Sequence, residues 1–333
     1  MGRNSKIQWT HHTANFWWGC VPVAEGCRHC YAEAQSRRWG RNVWGPDRSR
    51  LFVRSIWSAL PRWNAAARDA GVRQRVFVSS MSDFFERDAI VCNADGDTLF
   101  FADDPTRPST DPGLTLLTVA GLRRAALRLI DQCDWLDFLI LTKRPQNIRP
   151  AWLLAADLPS RRHGAGRTVE RRNVWLGASV ATQWDADTLL PILEQCRDLC
   201  AGVFASAEPL VEPIEFRNGD RNRYNLPTRS APDYVPADWI IVGGESGPAA
   251  RPCKVRWIAD VRRMGAAVGI PVFVKQLGSN AIDDGGRRVV TRDSKGGDPD
   301  EWPADVVYAV EREAITLREF PRRLAGGGLS LDN

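Results

Sequence analysis

Short apolar runs rich in Val, Ile and Phe recur along this chain, each closed by a small polar cluster and followed by a stretch whose apolar residues return every three to four positions. This β-α alternation constrains the fold most, because near-continuous apolar strands need cover on both faces and intervening helices supply it. The runs predict strands over 14–19, 75–79, 138–142, 174–178, 202–206, 239–243 and 271–275, and helices over 32–39, 114–132, 185–200 and 255–268. Six to seven such units in 333 residues point to an α/β fold, a partial (β/α) barrel of parallel strands rather than a flat sheet. Functional residues in such a barrel gather at the C-terminal ends of the strands.

Two segments break the rhythm, near 93–113 (with ADGD and ADDP) and near 215–237 (with NGDRNRYN), and both read as insertions in a barrel spanning 1–278. Residues 279–333 read as a polar, Gly-rich C-terminal extension with a basic stretch at 318–323 and a tail disordered from Leu324 onward. No apolar run approaches the roughly 18 residues a membrane span needs, so no membrane partner is expected. The first residues lack the apolar stretch of a signal peptide, which makes a cytoplasmic location the expectation.

The residues closing each strand are polar. They are the cysteine loop after the first strand, Ser79 to Asp83 after the second, Thr142-Lys143-Arg144-Pro145 after the third and Gly177-Ala178-Ser179 after the fourth. Ser206-Ala207-Glu208-Pro209, Gly243 to Gly247, and Lys275-Gln276 close the last three. Any one of them could be a cap or turn, but seven in phase with the β-α period would ring one mouth of the barrel.

Residues 1–75 hold 13 Lys and Arg against 4 Asp and Glu, a net +9 in a chain whose total is +5, and seven of the 14 Trp lie there too. Cations interleaved with aromatics suit phosphate contacts and base stacking, and they equally suit a solvated helix face over a Trp-rich core.

Of eight cysteines, Cys20, Cys27 and Cys30 form a C-x6-C-x2-C cluster, while Cys92, Cys133, Cys196, Cys200 and Cys253 are scattered and read as buried thiols. Cys196 and Cys200 are expected on one helix face, at i and i+4. A structural zinc would need a fourth ligand, for which His29, His11 and His12 are the nearby choices. A [4Fe–4S] cluster held by three thiolates leaves one iron free for an external ligand.

At this point the motifs GCRHCYAE, VFVSSMSDFF, LILTKRP, NVWLGASV, SAEPL, IVGGESGPAARP and VKQLG resemble, in order, a phage-associated radical S-adenosylmethionine (SAM)-like family with a C-x6-C-x2-C motif, often encoded beside a three-Cys-motif partner protein. The resemblance implies a [4Fe–4S] cluster on Cys20, Cys27 and Cys30, SAM as a second cofactor, and an electron donor as partner. By position it implies Ser80, Ser82 and Asp83 beside the SAM amino group, Lys143 and Ser179 at its carboxylate or ribose, and Tyr31 near adenine. Glu245 falls among the cofactor contacts, and Glu208 and Lys275 are the candidate catalytic residues toward the substrate. A nucleic-acid substrate is preferred because of the basic first quarter. The alternative is a zinc-stabilised nucleic-acid-binding protein without catalysis.

Overall fold

Seven strands, six of them formed by the predicted apolar runs, make one all-parallel sheet in the computed structural model of the chain, which describes residues 5–155, 170–216, 236–307 and 318–324. The strands are β1 (His12–Ala14), β2 (Gln74–Val78), β3 (Leu136–Thr142), β4 (Arg171–Ser179), β5 (Cys200–Ala207), β6 (Trp239–Gly243) and β7 (Val272–Gln276). They lie side by side in chain order, and the sheet curls into the expected partial barrel, with β1 and β7 as its two edges. Helices α1 (Tyr31–Arg38), α2 (Ile56–Ala70), α3 (Val119–Asp131), α4 (Ile148–Ala155), α5 (Gln183–Glu194) and α6 (Val255–Val268) occupy the connections. No helix among the described residues is long and apolar enough to cross a membrane.

The period-two alternation of the strands splits their side chains between two cores. Val76, Phe138, Ile140, Val174, Leu176, Val203, Ile240 and Val272 face outward and pack with helix residues such as Leu60, Leu122, Leu189 and Ile258. Phe77, Leu139, Trp175, Phe204, Trp239 and Phe273 face inward and close around Trp9. Fitting so many rings inside a half-barrel needs gaps opposite them. Gly202 pairs with Trp175 and Gly177 with Phe204 across the β4–β5 ladder. A Cβ at Gly177 would lie 2.3 Å from the Phe204 ring, and one at Gly202 would lie 2.6 Å from Trp175. The same alternation continued past the strands puts Ser79, Lys143, Ser179, Ser206, Glu208, Glu245 and Lys275 on the concave side above this aromatic plug.

Several boundaries differ from the sequence expectation. The first strand, expected over 14–19, is His12–Ala14, and Trp17–Trp18 pairs instead with Arg50–Phe52 in a separate three-stranded sheet. Asn15 diverts the chain: its side chain donates to Ser80 Oγ (2.9 Å) and accepts from the Met81 amide (2.8 Å). The helix expected over 185–200 stops at Glu194, a 3-10 turn follows, and Cys200 opens β5, so Cys196 and Cys200 share no helix face. All five scattered cysteines are buried. The helix expected over 114–132 starts at Val119, since Thr115–Leu116 pairs with Phe100–Phe101. Helices α2 and α4 were not among the expected ones; Pro61 inside α2 obscures its period.

The 93–113 segment forms short hairpins tied by Asx turns, with Asn93 Oδ1 accepting from the Asp95 and Asp97 amides, both at 2.9 Å. Of the second insertion, residues 217–235 lie outside the described residues, as does the tail from 325 onward. The basic stretch at 318–323 is no free tail. Its segment lies along the β7 edge, Phe320 packs on Trp239 and Phe273, Trp239 Nε1 donates to the Glu319 carbonyl (2.9 Å), and Leu324 is 2% exposed.

Candidate active site

Above the aromatic plug the strand ends enclose a cavity of about 320 Å³ with Trp9, Phe77 and Leu141 in its wall. All twelve residues singled out from the sequence line it. Cys20, Cys27, Cys30 and Tyr31 come from the loop after β1; Ser80, Ser82 and Asp83 from the β2 end; Lys143 from β3; Ser179 from β4. Glu208, Glu245 and Lys275 complete the ring from β5, β6 and β7.

The cysteine loop leaves the first strand through Gly19, whose φ of +113° and whose approach to the Val43 carbonyl, 2.2 Å from where a Cβ would stand, admit only glycine. Two arginines that the sequence reading did not single out then hold the loop at its two ends. Arg144 donates from Nη1 to Cys20 Sγ (3.7 Å) and from Nη2 to the Val21 carbonyl. Arg251 donates from Nη1 to the Glu25 carbonyl (3.2 Å) and to Glu25 Oε1 (2.9 Å), at the 3-10 turn Glu25–Cys27. Each arginine is backed by a strand-end carboxylate: Asp83 Oδ2 accepts from Arg144 at 2.7 Å, and Glu245 accepts from Arg251 Nη2 at 2.8 Å and Nε at 3.0 Å. Glu245 also meets His29 Nδ1 at 3.2 Å, between two of the cysteines.

These contacts change the parts that Asp83 and Glu245 can play. Asp83 Oδ1 accepts from the Phe85 amide (3.0 Å) and Thr142 Oγ1 (2.7 Å), while Oδ2 accepts from the Lys143 amide (3.1 Å) and Arg144. A carboxylate has about four acceptor sites, so Asp83 holds Arg144 and the β3 turn and has no lone pair left for a ligand amino group. Glu245 is committed to Arg251 and His29 in the same way. Burial raises its carboxyl, but the Arg251 side-chain and backbone hydrogen bonds, His29 and the Arg251 charge outweigh that and leave it below the usual glutamate value.

Burial, with the charges of Asp83 and Glu86 adding to it, pushes the Cys20 thiol up to about 12 against the opposing pull of Arg144. Burial also raises Cys30, opposed by the Glu33 and Ala32 amides at the start of α1 and by Lys143. Both sulfurs therefore hold their protons at neutral pH, and a metal centre would have to displace those protons to bind them. Below the loop, Arg50 and Glu86 form a pair that is 1% and 2% exposed, with Trp17 Nε1 donating to the same carboxylate (2.9 Å).

The remaining wall is polar. Lys143 Nζ donates to Ser179 Oγ (2.9 Å) and has no carboxylate partner among the described residues. Tyr31 is 52% exposed and anchored by its hydroxyl on the Ser80 carbonyl (2.7 Å). Lys275 Nζ pairs with Glu208 Oε1. The buried hydroxyls of Ser79 and Ser82 have no hydrogen-bond partner among the described residues. Ser79 also sits at φ +68°, a left-handed conformation that a non-glycine residue adopts at a cost and that tends to occur at functional sites.

No group of three or more His, Cys, Asp or Glu side chains among the described residues converges as a site for a metal ion. A single tetrahedral zinc would need four ligands about one point. A four-iron cluster asks for less convergence, since each thiolate binds a different iron, and three soft sulfur donors on one cavity wall fit it by donor chemistry. The sequence expectations did not single out Arg144 and Arg251 as site residues. The usable signal was the pair of strand-end carboxylates, which need cations once buried.

No curated protein and no solved structure matches the chain. A family model described as "Protein of unknown function (DUF5131)" matches residues 4–95 and 119–310, with its interruption falling on most of the hairpin segment near 93–113. That match covers well over half of the sequence, and the chain therefore belongs to the DUF5131 family.

Proposed function

We propose that this protein is a radical SAM enzyme in which Cys20, Cys27 and Cys30 hold a [4Fe–4S] cluster and the barrel mouth binds SAM. The observation carrying this reading is the shared cavity: three thiols from one loop and polar side chains from the strand ends face a single space closed below by aromatics. When bound and reduced by an electron donor, the cluster would supply the electron that cleaves the sulfonium C–S bond of SAM, giving methionine and a 5′-deoxyadenosyl radical.

The chain's own residues bind, orient and exclude water. Lys143, steadied by Ser179, presents an uncompensated ammonium for a carboxylate. Ser79 and Ser82 offer free hydroxyls for polar ligand groups, and Tyr31, pinned by Ser80, offers a ring face to a base. Glu208 and Lys275, paired on the β5 and β7 side, line the same cavity and would face the substrate there. Trp9, Phe77 and Leu141 keep bulk water from the barrel interior, which a reactive radical requires.

Dithionite-reduced, cluster-loaded protein incubated with SAM should release 5′-deoxyadenosine, and Lys143→Ala should weaken SAM binding by about tenfold or more while leaving iron content unchanged. Cluster-loaded protein that neither binds SAM in calorimetry nor releases 5′-deoxyadenosine would show the cluster to be structural and overturn the enzymatic reading.

A further inference from the structure

We infer that Arg144 is a positioning residue for the first thiolate of the loop and sets the reduction potential of the cluster held there. This rests on the cluster reading above and deepens it. Among the described residues, Arg144 is the one side-chain cation that donates to a cysteine of the loop, Nη1 to Cys20 Sγ at 3.7 Å. The same guanidinium reaches the Val21 carbonyl through Nη2 and Asp83 Oδ2 through Nη1, so its planar fork fixes the sulfur, the next peptide and the β2 end relative to one another. Its own amide is held by Thr142 Oγ1 (2.9 Å), which in turn donates to Asp83 Oδ1 (2.7 Å). Both side chains of the ion pair are 7% exposed, so solvent and salt screen the guanidinium little.

Hydrogen bonds to ligating sulfurs and nearby charge are among the main controls on the potential of an iron–sulfur cluster. Reduction adds negative charge. A guanidinium on the sulfur favours the reduced form and raises the potential, whereas Asp83 opposes it from the far side of the same group. The two partners therefore act with opposite signs, although each supports the same local structure.

The test uses the full chain, reconstituted anaerobically with iron and sulfide, with midpoint potentials from redox titration followed by electron paramagnetic resonance. Arg144→Gln should move the midpoint to a more negative value and Asp83→Asn to a more positive one, with melting temperatures recorded alongside. Unchanged midpoints, or shifts of the same sign in both variants, would overturn the inference and leave Arg144 a structural residue. If Arg144→Gln takes up no iron, the Asp83→Asn variant decides alone, and the absence of a positive shift overturns the inference. Wild-type protein that takes up no iron would instead refute the cluster reading itself.

Discussion

Glu245 joins β6 to the cysteine loop through Arg251 and His29, and its ionisation makes that joint dependent on pH. Its carboxyl titrates below the usual value of 4.5 in the folded chain, so the carboxylate adds stability at neutral pH that is lost as pH falls below about 4.5 and through the folded value. Glu245→Gln removes the contribution. In urea melts, the stability gap between wild type and variant should shrink as pH falls below about 4.5, and a constant gap would contradict the assignment. The Arg50–Glu86 pair is more demanding, because removing one partner strands a buried charge. Glu86→Ala should cost about 3–5 kcal/mol in equilibrium unfolding. Much of the site was legible at this scale: polar side chains such as Lys143 and Ser179 follow apolar strands at the period that points them into the mouth. The pairings were not legible, since which carboxylate meets which arginine depends on loops folding over sequence gaps of 61 residues for Asp83 and Arg144.

Among elements, β4 and β5 show why a parallel strand with glycine can still be a core strand. Gly177 and Gly202 leave room for Phe204 and Trp175, so each bulky ring faces a gap on the neighbouring strand. Gly177→Ala forces the Phe204 ring to move and should destabilise the protein by about 1–3 kcal/mol, read as a lower urea midpoint with an unchanged slope. The six strands beyond the first were legible to within a few residues, because apolar runs that must be covered on both faces have few other uses. The first strand was misplaced because FWW continues the apolar run past Asn15, and only the tertiary bonds from Asn15 to Ser80 and Met81 show where the chain leaves the sheet. Helix α6 matched its expected limits, 255–268, since Gly269 ends it in a left-handed turn at φ +72°.

For the molecule as a whole, the basic first quarter divides into two uses. Arg28, Arg37, Arg50, Arg68 and Arg73 are paired with carboxylates, and Arg75 binds the Trp9 and Leu324 carbonyls. Trp9, Trp17 and Trp63 are core residues. The rest includes Arg38, which has no carboxylate partner among the described residues, and Trp39, 47% exposed and stacked on Trp18. If that remainder binds a nucleic-acid substrate, oligonucleotide affinity should fall by about one log unit per log unit of salt for each phosphate neutralised, with Trp fluorescence quenched on binding. Salt-independent binding, or none at low salt, would remove nucleic acid as the substrate class.

The readings of SAM binding and of the reduction potential both depend on the cluster, and metal analysis of anaerobically reconstituted protein tests it most directly. We expect a brown protein with about four iron and four sulfide per chain, lost on replacing Cys20, Cys27 or Cys30 with Ala and retained on replacing the buried Cys133. Stoichiometric zinc without iron, or iron that survives the loss of any of the three thiols, would contradict it.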